Sequence, residues 1–107
     1  METSALSRCE LLLTARCNFH CPYCRGVGGL DIAFDDAASL IRQWGADGLR
    51  AIRFSGGEPL LYKRLPELVA LAREVGIEHI AISTNGSSPW WRYEELLAAG
   101  VNDFLFH

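Results

Sequence analysis

Residues 51–83 read AIRFSGGEPLLYKRLPELVALAREVGIEHIAIS, and their pattern decides the fold. Ala51–Ser55 is a short run typical of a strand, and the turn sequence Gly56-Gly57-Glu58-Pro59 follows it. Apolar residues recur at helical spacing from about Leu65 to Val75, and Glu78–Ser83 is again a strand pattern. The buried face of the helix is predicted to consist of Leu65, Leu68, Val69 and Ala72. A strand, a helix and a second strand predict a parallel pair joined by a right-handed crossover.

The same alternation continues on both sides of this unit. Upstream, Arg8–Thr14 predicts a first strand, Ala15–Leu30 a long loop, and the segment from Asp35 to Gly45 a helix. Downstream, a third helix is predicted over about Trp91–Ala99 and a fourth strand over Asp103–His107. Because each crossover returns the chain to the same direction, we predict an α/β fold with a parallel sheet whose strand order follows the chain.

The predicted elements amount to part of a barrel. About three βα units and a fourth strand match a partial TIM-like (β/α) barrel, whereas a complete barrel of eight units takes about 250 residues. The chain has 107 residues and ends in the apolar run Phe104-Leu105-Phe106, without a polar cap for the sheet edge. We therefore expect residues 1–107 to form a single, truncated barrel domain whose open edge is completed by further sequence or by a partner chain.

Composition argues against two classes of partner. The net charge is −3 and the basic residues are scattered, so no basic stripe is available for a nucleic-acid backbone. No apolar run approaches the roughly 18 residues of a membrane span. The first residues, Met1-Glu2-Thr3-Ser4, lack the basic start of a secretory signal. We therefore expect a cytoplasmic protein that binds neither nucleic acid nor a membrane.

Three of the four cysteines lie within eight residues, in the sequence C-N-F-H-C-P-Y-C. Clustered cysteines without a secretory signal favour metal binding over disulfides. The spacing C-x3-C-x2-C allows Cys17, Cys21 and Cys24 to hold three corners of a [4Fe–4S] cluster and to leave the fourth iron open. A zinc site that includes His20 and a set of unliganded thiols remain alternatives on this spacing alone, although no second ligand pair follows downstream.

Polar residues follow each of the first three predicted strands. The cysteine loop follows the first, Gly56-Gly57-Glu58 the second, and Ser83-Thr84-Asn85-Gly86 the third. Ligands of parallel α/β folds bind at the carboxyl ends of the strands, so the three clusters fall on one rim. Glycines permit close backbone approach, Glu58 offers an anion for an ammonium group, and Ser83 and Asn85 offer hydrogen bonds. Singly, each cluster favours an ordinary turn, but together they suit a zwitterionic nucleoside.

Three motifs, C-N-F-H-C-P-Y-C, F-S-G-G-E-P-L-L and I-S-T-N-G, resemble in their order the N-terminal part of radical S-adenosylmethionine (SAM) enzymes. The resemblance covers about residues 9–107 and points to the subgroup that includes molybdenum-cofactor biosynthesis and peptide- or enzyme-modifying members. It implies a [4Fe–4S] cluster and SAM as cofactors. The residues that it places at the cluster are Cys17, Cys21 and Cys24. Those that it places around SAM are Tyr23 at the adenine, Gly56, Gly57 and Glu58 at the methionine ammonium, and Ser83 and Asn85 at the carboxylate or ribose.

The resemblance also implies a reaction and its partners. An electron from the reduced cluster would cleave SAM to methionine and a 5′-deoxyadenosyl radical, which abstracts hydrogen from a substrate, a small molecule or a peptide, that the sequence does not identify. The electron would come from a donor such as flavodoxin or ferredoxin. Family members usually contain six or more βα units, so the alternative is an inactive or partner-dependent fragment that binds the cluster or SAM without turnover.

Overall fold

The sheet is parallel and follows the chain. The computed structural model describes residues 8–14 and 31–106. In this part of the chain the strand order is β1-β2-β3-β4, and each neighbouring pair is parallel. The strands are β1 (Arg8–Thr14), β2 (Ala51–Gly56), β3 (His79–Thr84) and β4 (Asp103–Phe106). The predicted α/β fold is therefore confirmed, and it is consistent with part of a TIM-like barrel.

Helices connect the strands: α1 (Phe34–Ala46), α2 (Leu65–Glu74) and α3 (Trp90–Ala99). The bounds of these elements agree with the predicted ones to within one residue. A short 3₁₀ helix, Pro59–Leu61, lies between β2 and α2, and the sequence pattern does not predict it. The predicted loop over residues 15–30 lies outside the described residues. Within the described ranges, no helix combines the length and the hydrophobicity that crossing a membrane requires.

The hydrophobic core lies between the helices and one face of the sheet. Side chains of a strand alternate between the two faces, and one row crosses the sheet in register. It consists of Leu11, Phe54, Ile82 and Phe104. The first three of these side chains are buried and the fourth is half-buried. The predicted buried face of α2 is confirmed, because Leu65, Leu68, Val69 and Ala72 are all buried.

The opposite face of the sheet carries the charged side chains. Along each strand, its side chains alternate with those of the buried row. They are exposed or half-buried and include Arg8, Glu10, Arg53 and His79. Helix α1 packs beside α2, and α2 beside α3, so the helices form one layer. Right-handed crossovers between strands in chain order bring all helices to the same side. The charged face is therefore uncovered in the described part of the chain, and in a barrel it would line the interior.

Candidate functional site at the carboxyl ends of the strands

The carboxyl ends of β1, β2 and β3 meet at one rim of the sheet. The N–H of Gly57 donates to the carbonyl of Thr14 at 2.8 Å, which joins the turn after β2 to the end of β1. The Thr84 hydroxyl donates to the Glu58 carboxylate at 2.7 Å, which joins the same turn to the end of β3. The second and third predicted clusters are thus in direct contact, beside the strand that leads into residues 15–30.

Gly56 allows the turn after β2 to lie against β1. Its φ of +142° falls in a region that residues with a side chain rarely adopt. A β-carbon at this position would also lie 2.4 Å from the carbonyl oxygen of Thr14, far inside contact distance. The backbone of the neighbouring strand therefore requires glycine here independently of any ligand.

The Glu58 carboxylate is fully buried and accepts three hydrogen bonds from the protein. Its Oε2 accepts from the Thr84 hydroxyl at 2.7 Å and from the Leu60 N–H at 3.1 Å. Its Oε1 accepts from the Asn85 N–H at 2.7 Å. A buried carboxylate without such donors is very unfavourable, and a hydrogen bond to a charged group contributes about 1.5–3 kcal/mol. Glu58 therefore braces the turn after β2 against the end of β3, a role that the sequence interpretation did not include.

Thr84 is a residue of this site that the sequence interpretation overlooked. It is fully buried, and its hydroxyl both donates to Glu58 and accepts from the Gly86 N–H at 3.2 Å. A signal was present in the sequence. Counting by twos from Ile80 and Ile82 places Thr84 on the helix-covered face of the strand. A hydroxyl at such a position needs a buried partner, and Glu58 is that partner.

Ser83 and Asn85 lie on either side of Thr84 and differ in how their side chains are used. Ser83 is half-buried, and the alternation of side chains puts it on the uncovered face of the sheet, opposite to Thr84. The Oδ1 atom of Asn85 accepts from the Ser87 N–H at 3.0 Å, which closes a turn. The contacts to a carboxylate or ribose stay predictions for both residues. Ser83 faces the side on which a ligand of a barrel interior would lie.

Both ends of the segment 15–30 are fixed at the rim. Thr14, which precedes it, donates its hydroxyl to the Asp31 carboxylate at 2.5 Å, and the two residues form an antiparallel bridge. The N–H of Ile32 donates to the carbonyl of Leu13 at 2.8 Å. The predicted cluster ligands and adenine contact lie in this segment, outside the described residues: Cys17, Cys21, Cys24 and Tyr23. The roles of these four residues stay predictions. The residues on either side of the segment are hydrogen-bonded to each other.

Tyr62 and Arg92 hold the chain that follows Glu58. The Tyr62 hydroxyl donates to the Ile32 carbonyl at 2.8 Å. Burial, assisted by the negative charge of Asp31, raises the pKa of this hydroxyl, so it stays protonated and able to donate at neutral pH. Arg92 of α3 donates to the carbonyls of Leu60 at 3.1 Å and of Tyr62 at 2.9 Å. The 3₁₀ helix is thus tied to α3 as well as to β3.

The residue types of the cysteine motif and of the described rim fit a [4Fe–4S] cluster with SAM. Three thiols at C-x3-C-x2-C spacing are soft ligands suited to iron–sulfur clusters, and in sequence they follow β1, whose last residue contacts the glycine turn. Within residues 8–14 and 31–106, no group of three His, Cys, Asp or Glu side chains is placed to hold a metal ion. The glycine turn and the Ser83 hydroxyl supply polar groups for a zwitterionic ligand next to the cluster.

Comparison with known proteins gives a consistent result. A family model described as the Radical SAM superfamily matches residues 11–107. A GTP 3′,8-cyclase of Syntrophomonas wolfei is 35% identical over 105 residues, which cover 91% of this chain and 32% of that protein. A GTP 3′,8-cyclase of Stenotrophomonas maltophilia is 39% identical over 105 residues, covering 87% of this chain and 32% of that protein. A GTP 3′,8-cyclase of Xanthomonas campestris is 43% identical over 89 residues, which cover 73% of this chain and 26% of that protein.

The matched stretch contains all three motifs on which the resemblance was based, so the resemblance is confirmed. The predicted cofactors agree with it, because proteins of the matched family bind a [4Fe–4S] cluster and SAM. The alternative of a zinc-binding module finds no support in these matches. The chain spans about a third of the length of the curated relatives it matches.

Proposed function

Because this chain belongs to the Radical SAM superfamily, we propose that it forms the part of a radical SAM enzyme that binds the [4Fe–4S] cluster and SAM. Cys17, Cys21 and Cys24 hold the cluster and leave one iron for the amino and carboxylate groups of SAM. When bound and reduced, the cluster supplies one electron that breaks the sulfonium C–S bond, giving methionine and a 5′-deoxyadenosyl radical that takes a hydrogen atom from a substrate. Residues 1–107 make up one incomplete core domain in this proposal.

The observation that carries the proposal is the buried Glu58 carboxylate, which joins the second and third motifs beside the base of the cysteine segment. In this proposal the turn Gly56-Gly57-Glu58 receives the methionine ammonium, and the buried Glu58 carboxylate holds that turn in place. The remaining contacts in this proposal are Ser83 and Asn85 with the carboxylate or ribose of SAM, and Tyr23 with its adenine.

GTP is the first substrate to test. The relatives named above are GTP 3′,8-cyclases, and their similarity to this chain extends over nearly all of its length. The chain corresponds to about a third of those proteins, so their remaining length can supply substrate contacts. We also propose a cytoplasmic location and an electron donor such as flavodoxin or ferredoxin, because the cluster must be reduced once in each cycle.

Anaerobic reconstitution with iron and sulfide tests the cluster site. We expect about four irons and four sulfides per chain, as for one cubane held by thiolates. The triple variant Cys17→Ala, Cys21→Ala, Cys24→Ala should bind neither iron nor sulfide and should lack the brown colour of the cluster. Bound zinc without sulfide would contradict the proposal.

Formation of 5′-deoxyadenosine tests turnover. The reconstituted chain is incubated with SAM and dithionite, with and without GTP, and the product is measured by chromatography. Product from the chain alone indicates an active enzyme. A chain that binds the cluster and SAM but gives no product supports the alternative of a fragment that needs further sequence or a partner, which its coverage of about a third of its relatives makes reasonable.

A further inference from the structure

We propose that Thr84 is a positioning residue of the SAM site, which acts by holding the Glu58 carboxylate and, through it, the glycine turn. The inference rests on the proposed function. The resemblance assigned no role to Thr84, although this residue lies within the third motif. We expect Thr84 to affect the affinity for SAM without contacting SAM.

Within residues 8–14 and 31–106, the Thr84 hydroxyl has two hydrogen-bond partners, Glu58 and Gly86. Thr84 and Glu58 are both fully buried, and the hydroxyl donates to Oε2 of Glu58 at 2.7 Å. The same hydroxyl oxygen accepts from the Gly86 N–H at 3.2 Å. The side chain lies on the helix-covered face of β3, whereas Ser83 lies on the uncovered face. Any influence of Thr84 on a ligand at the rim therefore passes through Glu58 or through the backbone of the turn at Asn85–Gly86.

Removing the hydroxyl would disturb a carboxylate that joins the two turns. In Thr84→Val, a side chain of nearly the same shape, Oε2 of Glu58 keeps only the Leu60 N–H, and Gly86 loses its acceptor. A buried carboxylate that has lost a donor turns toward other donors. That rearrangement displaces the turn Gly56-Gly57-Glu58, which receives the SAM ammonium in the proposed function. The expected loss of SAM affinity is about ten- to a hundredfold, the range for one hydrogen bond to a charged group.

The experiment compares three variants of the full chain after reconstitution with the cluster. Thr84→Val removes the hydroxyl, and Thr84→Ser retains it. Ile82→Val is the matched control, because Ile82 is buried on the same face of the same strand and loses a methylene group without a change in polarity. The first measurement is amide hydrogen exchange by mass spectrometry over residues 57–62 and 83–88. The second is the dissociation constant of SAM, measured by equilibrium dialysis with labelled SAM.

We expect Thr84→Val to keep its iron and sulfide, to exchange faster in both peptides, and to bind SAM about ten- to a hundredfold more weakly. Thr84→Ser should restore both properties, and Ile82→Val should leave them unchanged. Unchanged SAM affinity in Thr84→Val, no restoration by Thr84→Ser, or an equal loss in Ile82→Val would each overturn the role given to Thr84. Failure of the unmodified chain to bind SAM would instead overturn the proposed function, and the role of Thr84 with it. The two failures are therefore distinguishable by the chain in which they occur.

Discussion

Polar pairs at the two ends of the sheet differ in how far they are buried. At the carboxyl end, Glu58 and Thr84 are both fully buried and hydrogen-bond to each other. At the amino end, the pairs His79–Asp103, at 2.7 Å, and Arg50–Glu78, at 3.3 Å, have side chains that are 49% to 70% exposed. Exposed pairs contribute about 0–1 kcal/mol, whereas leaving a buried donor or acceptor unsatisfied costs about 1–3 kcal/mol. The contact between Glu58 and Thr84 is therefore expected to contribute more to stability than either of these exposed pairs.

The largest effect on stability is expected at Glu58. Glu58→Ala leaves three donors without their acceptor, two of them buried. Each unsatisfied buried donor costs about 1–3 kcal/mol, so the free energy of unfolding should fall by about 3–5 kcal/mol. Glu58→Gln keeps one acceptor oxygen and should lose about 1–3 kcal/mol. Urea unfolding followed by circular dichroism measures both. Glu74→Ala, at an exposed position of α2, is the control and should stay within about 0.5 kcal/mol of the unmodified chain. Similar losses at Glu58 and Glu74 would remove the contrast between buried and exposed carboxylates.

The next loss of stability is expected at Gly56, where two causes can be separated. Gly56→Ala introduces strain at a φ of +142° and a contact of 2.4 Å with the Thr14 carbonyl oxygen. Gly48 is the matched control, because its φ is +87° but a β-carbon added there would have no atom within 4 Å. Gly48→Ala should therefore lose only the conformational part, about 1–2 kcal/mol. In urea unfolding, we expect Gly56→Ala to lower the free energy of unfolding by about 1–3 kcal/mol more than Gly48→Ala does. Equal losses in the two variants would show that the contact with β1 is unimportant.

The amino end of the sheet should tolerate substitution. Asp103→Asn removes the charge that faces His79, and Arg50→Ala removes the exposed partner of Glu78. Each variant should lose less than about 1 kcal/mol in the same urea experiment. A loss as large as that of Glu58→Ala in either variant would contradict the comparison of the two ends.

The smallest effect is expected at the surface pair Arg64–Glu67, and it depends on pH. The hydrogen bond from Arg64, at 2.6 Å, lowers the pKa of Glu67 below its ordinary value of 4.5. Because the folded-state pKa is below the unfolded one, the stabilisation is present above about pH 4.5 and is lost as the pH falls through the lowered pKa. Glu67→Gln should thus differ from the unmodified chain more at about pH 6 than at about pH 3. A carboxyl titration by NMR with a midpoint at or above 4.5 would contradict this prediction.

Much of the fold could be predicted because its signals are local. Alternating apolar residues mark the strands, helical spacing marks the helices, and glycines such as Gly76 and Gly100 mark where helices end. The parallel order then follows from the handedness of crossovers, which is a property of all such chains. These signals placed the three α-helices and four strands of the described residues to within one residue.

The alternation of strand side chains indicates that the Thr84 hydroxyl is buried, but its pairing with Glu58 could not be predicted in the same way because it depends on tertiary packing. Glutamate is rarely fully buried, and Thr84 lies 26 residues from Glu58 along the chain. The 3₁₀ helix Pro59–Leu61 begins where the Glu58 side chain accepts from the Leu60 N–H, so it depends on the same buried carboxylate. The motif itself predicted that these residues share a site. It did not distinguish side chains that face a ligand from those that hold the backbone.

The most direct test of the account is the electron paramagnetic resonance spectrum of the reduced, reconstituted chain before and after SAM is added. Binding of SAM at an open iron beside the rim predicts a change in the g-values of the [4Fe–4S]⁺ cluster. The change should require higher SAM concentrations in Thr84→Val and normal ones in Thr84→Ser. A cluster whose spectrum does not respond to SAM at any concentration would contradict the claim that this rim is a SAM site.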